Sequence, residues 1–195
     1  HAFAAHNGEG WLIQNNYIED TGEAIVFYFS AGGSGFNFMR DMTIRYNFIK
    51  NIHVESNTGG GGITISGGSS ATLGTRTGFK IYNNIIMNTG IGRTQNWQGF
   101  GISSNSHDPV EIYNNVLYNT NIGIALISNG ALAQGSVYNN IIVNPARLYG
   151  NVGGAGLPSN VSWDNNLYYP ATTLGPLPAW GISPGARSVY GNPLF

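Results

Sequence analysis

The chain offers few side chains able to move a proton or hold an ion. Its 195 residues include 8 Lys and Arg, 9 Asp and Glu and 4 His, a charged fraction of 9%, against roughly a quarter in ordinary globular domains. The candidates are Glu23, the His53-x-Glu55 pair, Arg76, Arg93 and the adjacent His107 and Asp108. His53 or His107 could act as a base, an arginine could neutralise a carboxylate, and Glu23 with Glu55 could form an acid pair. Each also reads as a solvated charge, and Asp108-Pro109 as a turn. Aromatic rings supply the other chemistry. Tyr82, Tyr113 and Tyr138 each follow the same kind of apolar phrase. Such a row can stack against sugar rings, or simply against itself. Tyr28 and Trp97 are further aromatic candidates for substrate contact.

Composition removes several classes. There is no cysteine, hence no disulfide framework, thiolate metal site or cysteine nucleophile. A net charge of −1 with scattered Lys and Arg gives no electrostatic footprint for nucleic acid. No apolar run reaches the roughly 18–20 residues that a membrane helix needs.

The elements that must position these residues come from an internal repeat. Aligned rows are WLIQNNYIED (11–20), MTIRYNFIKN (42–51), FKIYNNIIMN (79–88), VEIYNNVLYN (110–119), GSVYNNIIVN (135–144) and VSWDNNLYYP (161–170). Their anchors are Asn16, Asn47, Asn84, Asn115, Asn140 and Asn166, at steps of 31, 37, 31, 25 and 26 residues. Three residues before each anchor stand Ile13, Ile44, Ile81, Ile112, Val137 and Trp163; two after stand Ile18, Ile49, Ile86, Leu117, Ile142 and Tyr168. The apolar period is two on either side of the anchor, which predicts strand, corner, strand. One such unit cannot bury its apolar face alone, whereas stacked copies can. The anchors are then expected to form a hydrogen-bonded amide column, with asparagine suiting the corner because it tolerates left-handed backbone angles.

These rows resemble the parallel β-helix repeats of the pectate-lyase-like superfamily, which carries an inward asparagine ladder at one corner. The resemblance covers about residues 11–170. It implies an all-β, right-handed, single-stranded parallel β-helix of about six coils, as one domain over 1–195. It also implies a secreted or cell-surface protein that acts on or binds polysaccharide, as a lyase or glycoside hydrolase if catalytic. Non-catalytic adhesive solenoids and tailspike-like assemblies belong to the same superfamily and form the alternative. Fold alone does not choose between them.

In that superfamily each coil has three sheets, and substrate lies across the outer face of the first. That sheet is expected at 23–28, 62–66, 99–103, 122–127 and, weakly, 146–149. Its expected outward residues, Ala24, Val26, Tyr28, Thr64, Ser66, Gly101, Ser103, Ala125, Ile127, Arg147 and Tyr149, include no Asp or Glu. The calcium that such lyases often hold on an acidic cluster therefore has no cluster on this face. Glycine-rich insertions at 30–41, 55–62, 67–78 and 91–98 are where a loop-built site would lie.

The third sheet's outward column, Tyr17, Phe48, Ile85, Val116, Ile141 and Leu167, is apolar throughout. A stripe of that length predicts cover by a loop, a missing segment or another chain. Residues 171–195 read as irregular. A start at His1 without Met and a close on GNPLF read as a piece of a longer protein.

Overall fold

A computed structural model of the chain describes residues 1–6, 8–29, 39–53, 60–67, 76–90, 92, 98–104, 109–126, 134–150, 160–170 and 185–194. The described chain is all-β, with its strands paired in parallel. The second sheet contains Leu12–Gln14, Thr43–Arg45, Phe79–Tyr82, Val110–Tyr113, Gln134–Tyr138 and Asn160–Asp164. The third contains Tyr17–Glu19, Phe48–Ile52, Ile85–Thr89, Val116–Thr120, Ile141–Val143, Leu167–Tyr169 and Val189–Tyr190. The first contains Phe3–His6, Ile25–Phe29, Gly61–Gly67, Phe100–Ser104, Ile122–Leu126 and Arg147–Gly150. Along the chain, strands of the second, third and first sheets recur in that order up to Arg147–Gly150.

The repeat columns become registers. Ile13, Ile44, Ile81, Ile112, Val137 and Trp163 align across the second sheet. Ile18, Ile49, Ile86, Leu117, Ile142 and Tyr168 align across the third. With Ile25, Ile63, Ile102 and Ile124 of the first sheet they pack into one apolar cluster, with Ile18 only partly buried. β-Branched residues suit this layout because their stiff side chains pack against identical neighbours one rung away. Each fully buried isoleucine contributes about 1.5–3 kcal/mol relative to exposure.

Asparagine divides its work between two adjacent residues. The left-handed position is the residue before each anchor: Asn15, Tyr46, Asn83, Asn114, Asn139 and Asn165, with φ of 54–58°. The anchor itself turns inward. Asn84 Nδ2 donates to Asn115 Oδ1 at 3.0 Å and to Ile44 O at 3.0 Å, so one amide ties three successive rungs. The same pattern links Asn16, Asn47, Asn115, Asn140 and Asn166. Asn84, Asn115 and Asn140 are wholly buried, whereas Asn16 at the end of the column is exposed. The expectation that the ladder residue is itself left-handed is thus corrected: its neighbour takes the strained angle, which leaves the anchor free to point inward.

A second amide column runs along the other end of the third sheet. Asn119 Nδ2 donates to Asn88 Oδ1 at 2.9 Å, Asn88 to Asn51 at 3.0 Å, and Asn51 to Glu19 Oε1 at 3.1 Å. Left-handed Asp20, Asn51, Asn88, Asn119 and Asn144 form this corner.

Four further strands depart from the sequence reading. Gly8–Glu9, Met39–Arg40 and Arg76–Thr77 form a small parallel sheet, where 30–41 and 67–78 read as insertions. Val189–Tyr190 pairs with Leu167–Tyr169 and adds a rung to the third sheet, where 171–195 read as irregular. Ser188 Oγ accepts from the Asn166 backbone N–H at 3.4 Å, standing where the next anchor would be.

Candidate functional site

The outer face of the first sheet is largely closed. Val26, Thr64, Ser103 and Ala125 share one outward column, and all four are buried. Ser103 Oγ lies 3.3 Å from Thr64 Oγ1. Phe100, Ile122 and Ala125 form an apolar cluster separate from the main core. Two residues expected to face outward do not: Ala24 belongs to the main core, and a Cβ on Gly101 would meet Leu117. The face opens at its first strand, where Ala4 and His6 are exposed and Tyr28 is half-buried.

At that end the strand register assembles a polar group. Phe3–His6 pairs with Ile25–Phe29 so that His6 lies opposite Tyr28, and Ala2 N donates to Glu23 O at 3.0 Å. This brings His1 Nδ1 to 2.5 Å from Glu23 Oε2. The Tyr28 hydroxyl donates to the same oxygen at 3.3 Å. Glu23 is 5% exposed, and its carboxylate fits because residue 60 is glycine: a Cβ there would stand 1.7 Å from Oε1. The His6 ring stacks on Tyr28 at 5.2 Å, and His1 meets it edge-on at 5.8 Å. Burial, followed by the Glu23 charge and hydrogen bond, pushes the Tyr28 phenol up. A buried carboxylate orienting an imidazole beside a neutral phenol is a proton-transfer arrangement.

Of the sequence candidates, Glu23 and Tyr28 meet here. His53 turns elsewhere: its Nε2 lies 3.4 Å from Asp20 Oδ1 on the exposed side of the second amide column. Arg76 stands in the small sheet. Glu55, Arg93, Trp97, His107 and Asp108 lie outside the described residues. His1 and His6 were not singled out from the sequence. Their signal was the alternation of Phe3 and Ala5 ahead of the first row, which marks an extra strand. Among the described residues no three His, Asp or Glu side chains group closely enough to hold a metal ion.

The tyrosine row is a stack. Tyr82 and Tyr113 rings lie 4.8 Å apart at 5°, and Tyr113 and Tyr138 lie 5.0 Å apart at 4°. Their faces are turned to one another, so the row presents ring edges and hydroxyls. Burial first, and then the neighbouring tyrosines, push the Tyr113 phenol up; burial also raises Tyr138. Arg45 continues the column on one side and Asp164 on the other, with Arg187 Nε donating to Asp164 Oδ2 at 2.8 Å.

On the third sheet the apolar column is in register from Tyr17 to Val189. Tyr17, Ile85 and Val189 are 60%, 42% and 56% exposed. The next column begins with Glu19 and Lys50, paired at 2.9 Å. No helix among the described residues is long and apolar enough to cross a membrane.

Comparisons with known proteins give no matching family, no matching curated protein and no matching solved structure.

Proposed function

We propose that the three parallel sheets wind into one right-handed β-helix, and that this is an extracellular protein acting on polysaccharide through the Glu23 group. The observation that carries the reading is the buried Glu23 carboxylate holding His1 and Tyr28 where the first sheet's outer face opens. Among the described residues the rest of that face carries no acid, and hydrolysis would need a second carboxylate. The group suits β-elimination instead. An imidazole nitrogen of His1 takes the proton beside a uronate carboxyl, the electron pair forms the new C=C bond, and the departing glycosidic oxygen takes a proton from Tyr28. Neutralising the uronate falls to an arginine, with Arg76 and Arg93 the candidates. The test is incubation with a panel of uronate-containing and neutral polysaccharides, following the ultraviolet absorbance of unsaturated products. Unsaturated product that disappears in Glu23→Gln supports the reading; neither turnover nor binding across the panel overturns it.

The apolar column from Tyr17 to Val189, exposed at Tyr17, Ile85 and Val189 and half-buried between them, favours a second reading, a structural or adhesive segment covered by another chain. Sedimentation equilibrium separates the two: a defined oligomer lost in Ile85→Lys supports it, and a monomer at all concentrations opposes it.

A further inference from the structure

The left-handed corner of the second sheet is asparagine at Asn15, Asn83, Asn114, Asn139 and Asn165, and tyrosine at Tyr46, which adopts φ 56°. Asparagine's short amide makes that region tolerable, whereas a bulky side chain there is strained by its own Cβ. A residue held in such a conformation points to a role beyond the turn. Tyr46 is 51% exposed, and its ring meets Tyr82 edge-on, at 6.2 Å and 74°.

Beside it, Arg45 is fixed without a counter-charge among the described residues. Its Nε donates to Gln14 Oε1 at 2.9 Å and its Nη1 to the Tyr82 hydroxyl at 2.8 Å. The guanidinium carbon stands 5.5 Å from the Tyr46 centroid. Arg40, Lys50 and Arg187 each meet a carboxylate, on Glu9, Glu19 and Asp164. Arg45 meets two neutral oxygens instead, and its Nη2 edge has no partner among the described residues. A guanidinium locked in place by neutral acceptors is pre-organised to take a planar or tetrahedral oxyanion through paired N–H donors. The exposed Tyr46 alongside has an aromatic ring of the kind that packs on the apolar side of a sugar.

We propose that Arg45 and Tyr46 form a subsite for an anionic sugar residue, with its carboxylate or sulfate on the open guanidinium edge and its ring against Tyr46. The inference rests on the polysaccharide reading but uses the second sheet rather than the Glu23 group.

The test is calorimetric titration of the whole chain with oligogalacturonate, with chondroitin sulfate oligosaccharide and with a neutral cello-oligosaccharide. The wild-type chain is expected to bind at least one anionic probe, more weakly as salt rises. Arg45→Gln and Tyr46→Asn are each expected to weaken that binding about tenfold or more. Tyr46→Asn restores the residue used at the other rungs, so it should fold at least as well as wild type, and its loss of binding cannot be ascribed to misfolding. Anionic binding unchanged in either variant, or binding of the neutral probe alone, overturns the subsite and leaves the polysaccharide reading standing. Binding of none of the three, with none elsewhere on the panel, overturns both.

Discussion

Asn84 Oδ1 accepts from both the backbone N–H and the side-chain amide of Asn47, at 3.1 and 2.9 Å. One oxygen therefore satisfies two buried donors from the rung before it, and removing it strands both.

Asn84→Ala should accordingly destabilise the fold by about 1–3 kcal/mol, the cost of leaving buried polar groups unpaired. Urea denaturation measures this. A midpoint equal to that of wild type would show that the ladder does not hold the rungs together. Ligand binding should survive, because Asn84 is wholly buried.

The residue before the anchor should respond by another mechanism. Asn83 is left-handed at φ 55°, so Asn83→Ala should cost about 1 kcal/mol through backbone strain. Tyr46→Asn should gain a similar amount. Thermal melts of the two variants should shift in opposite directions.

Glu23 and Gly60 can be separated from the rest of the fold by following one phenol. The Glu23 charge and hydrogen bond help to raise Tyr28, so Glu23→Gln should let Tyr28 ionise at lower pH. Gly60→Ala should do the same by displacing the carboxylate, because its Cβ would stand 1.7 Å from Oε1. Spectroscopic titration of tyrosinate, with Tyr28→Phe identifying the signal, provides the readout. An unchanged Tyr28 titration in both variants would remove the pairing.

Stability should fall at both ends of the pH scale. Tyr17 and Lys50 hold Glu19 below its ordinary pKa, and Arg187 does so for Asp164. A carboxyl group that is more acidic in the fold stabilises it above the unfolded pKa, near 4, and loses that contribution as pH falls through the folded value. Tyr113 and Tyr138 shift upward. Above about pH 10 the unfolded chain ionises first and stability falls as pH rises. Urea midpoints across the range should form a plateau, with Glu19→Gln flattening the acid side and Tyr113→Phe the alkaline side.

The repeat rows made the parallel sheets, their register and the anchor column legible, because identical residues recur wherever identical environments recur. Ile81 opposite Ile112 and Asn84 beside Asn115 follow directly from alignment. The second amide column was also visible, as the Asp or Asn closing five of the six rows. Its role follows only when Asn51 is seen to donate to Glu19. The closed outer face at Val26 and Ser103 was not legible. Alternation says which way a side chain points, not whether solvent reaches it. The Glu23 group was half legible: Tyr28 follows the first row, whereas His1 and His6 are brought in by the strand Phe3–His6, which precedes it. Glu55, Arg93 and Trp97 lie in inserted stretches that the repeat does not constrain, and His107 and Asp108 lie just before the fourth row.

The two asparagine columns run in opposite senses. Along the buried one each amide-to-amide bond runs from a rung to the C-terminal one after it, as from Asn115 to Asn140; along the outer one each runs to the N-terminal one before it, as from Asn119 to Asn88. An α-helix aligns its amides and gathers partial charge at its ends. Here the two side-chain dipoles oppose one another, and the sheets themselves carry little net dipole. Over the rungs that carry both columns, adding a rung therefore adds little net side-chain dipole. That allows a stack of this kind to be lengthened by duplication in a chain with only 9% charged residues, which has few charges with which to neutralise its ends.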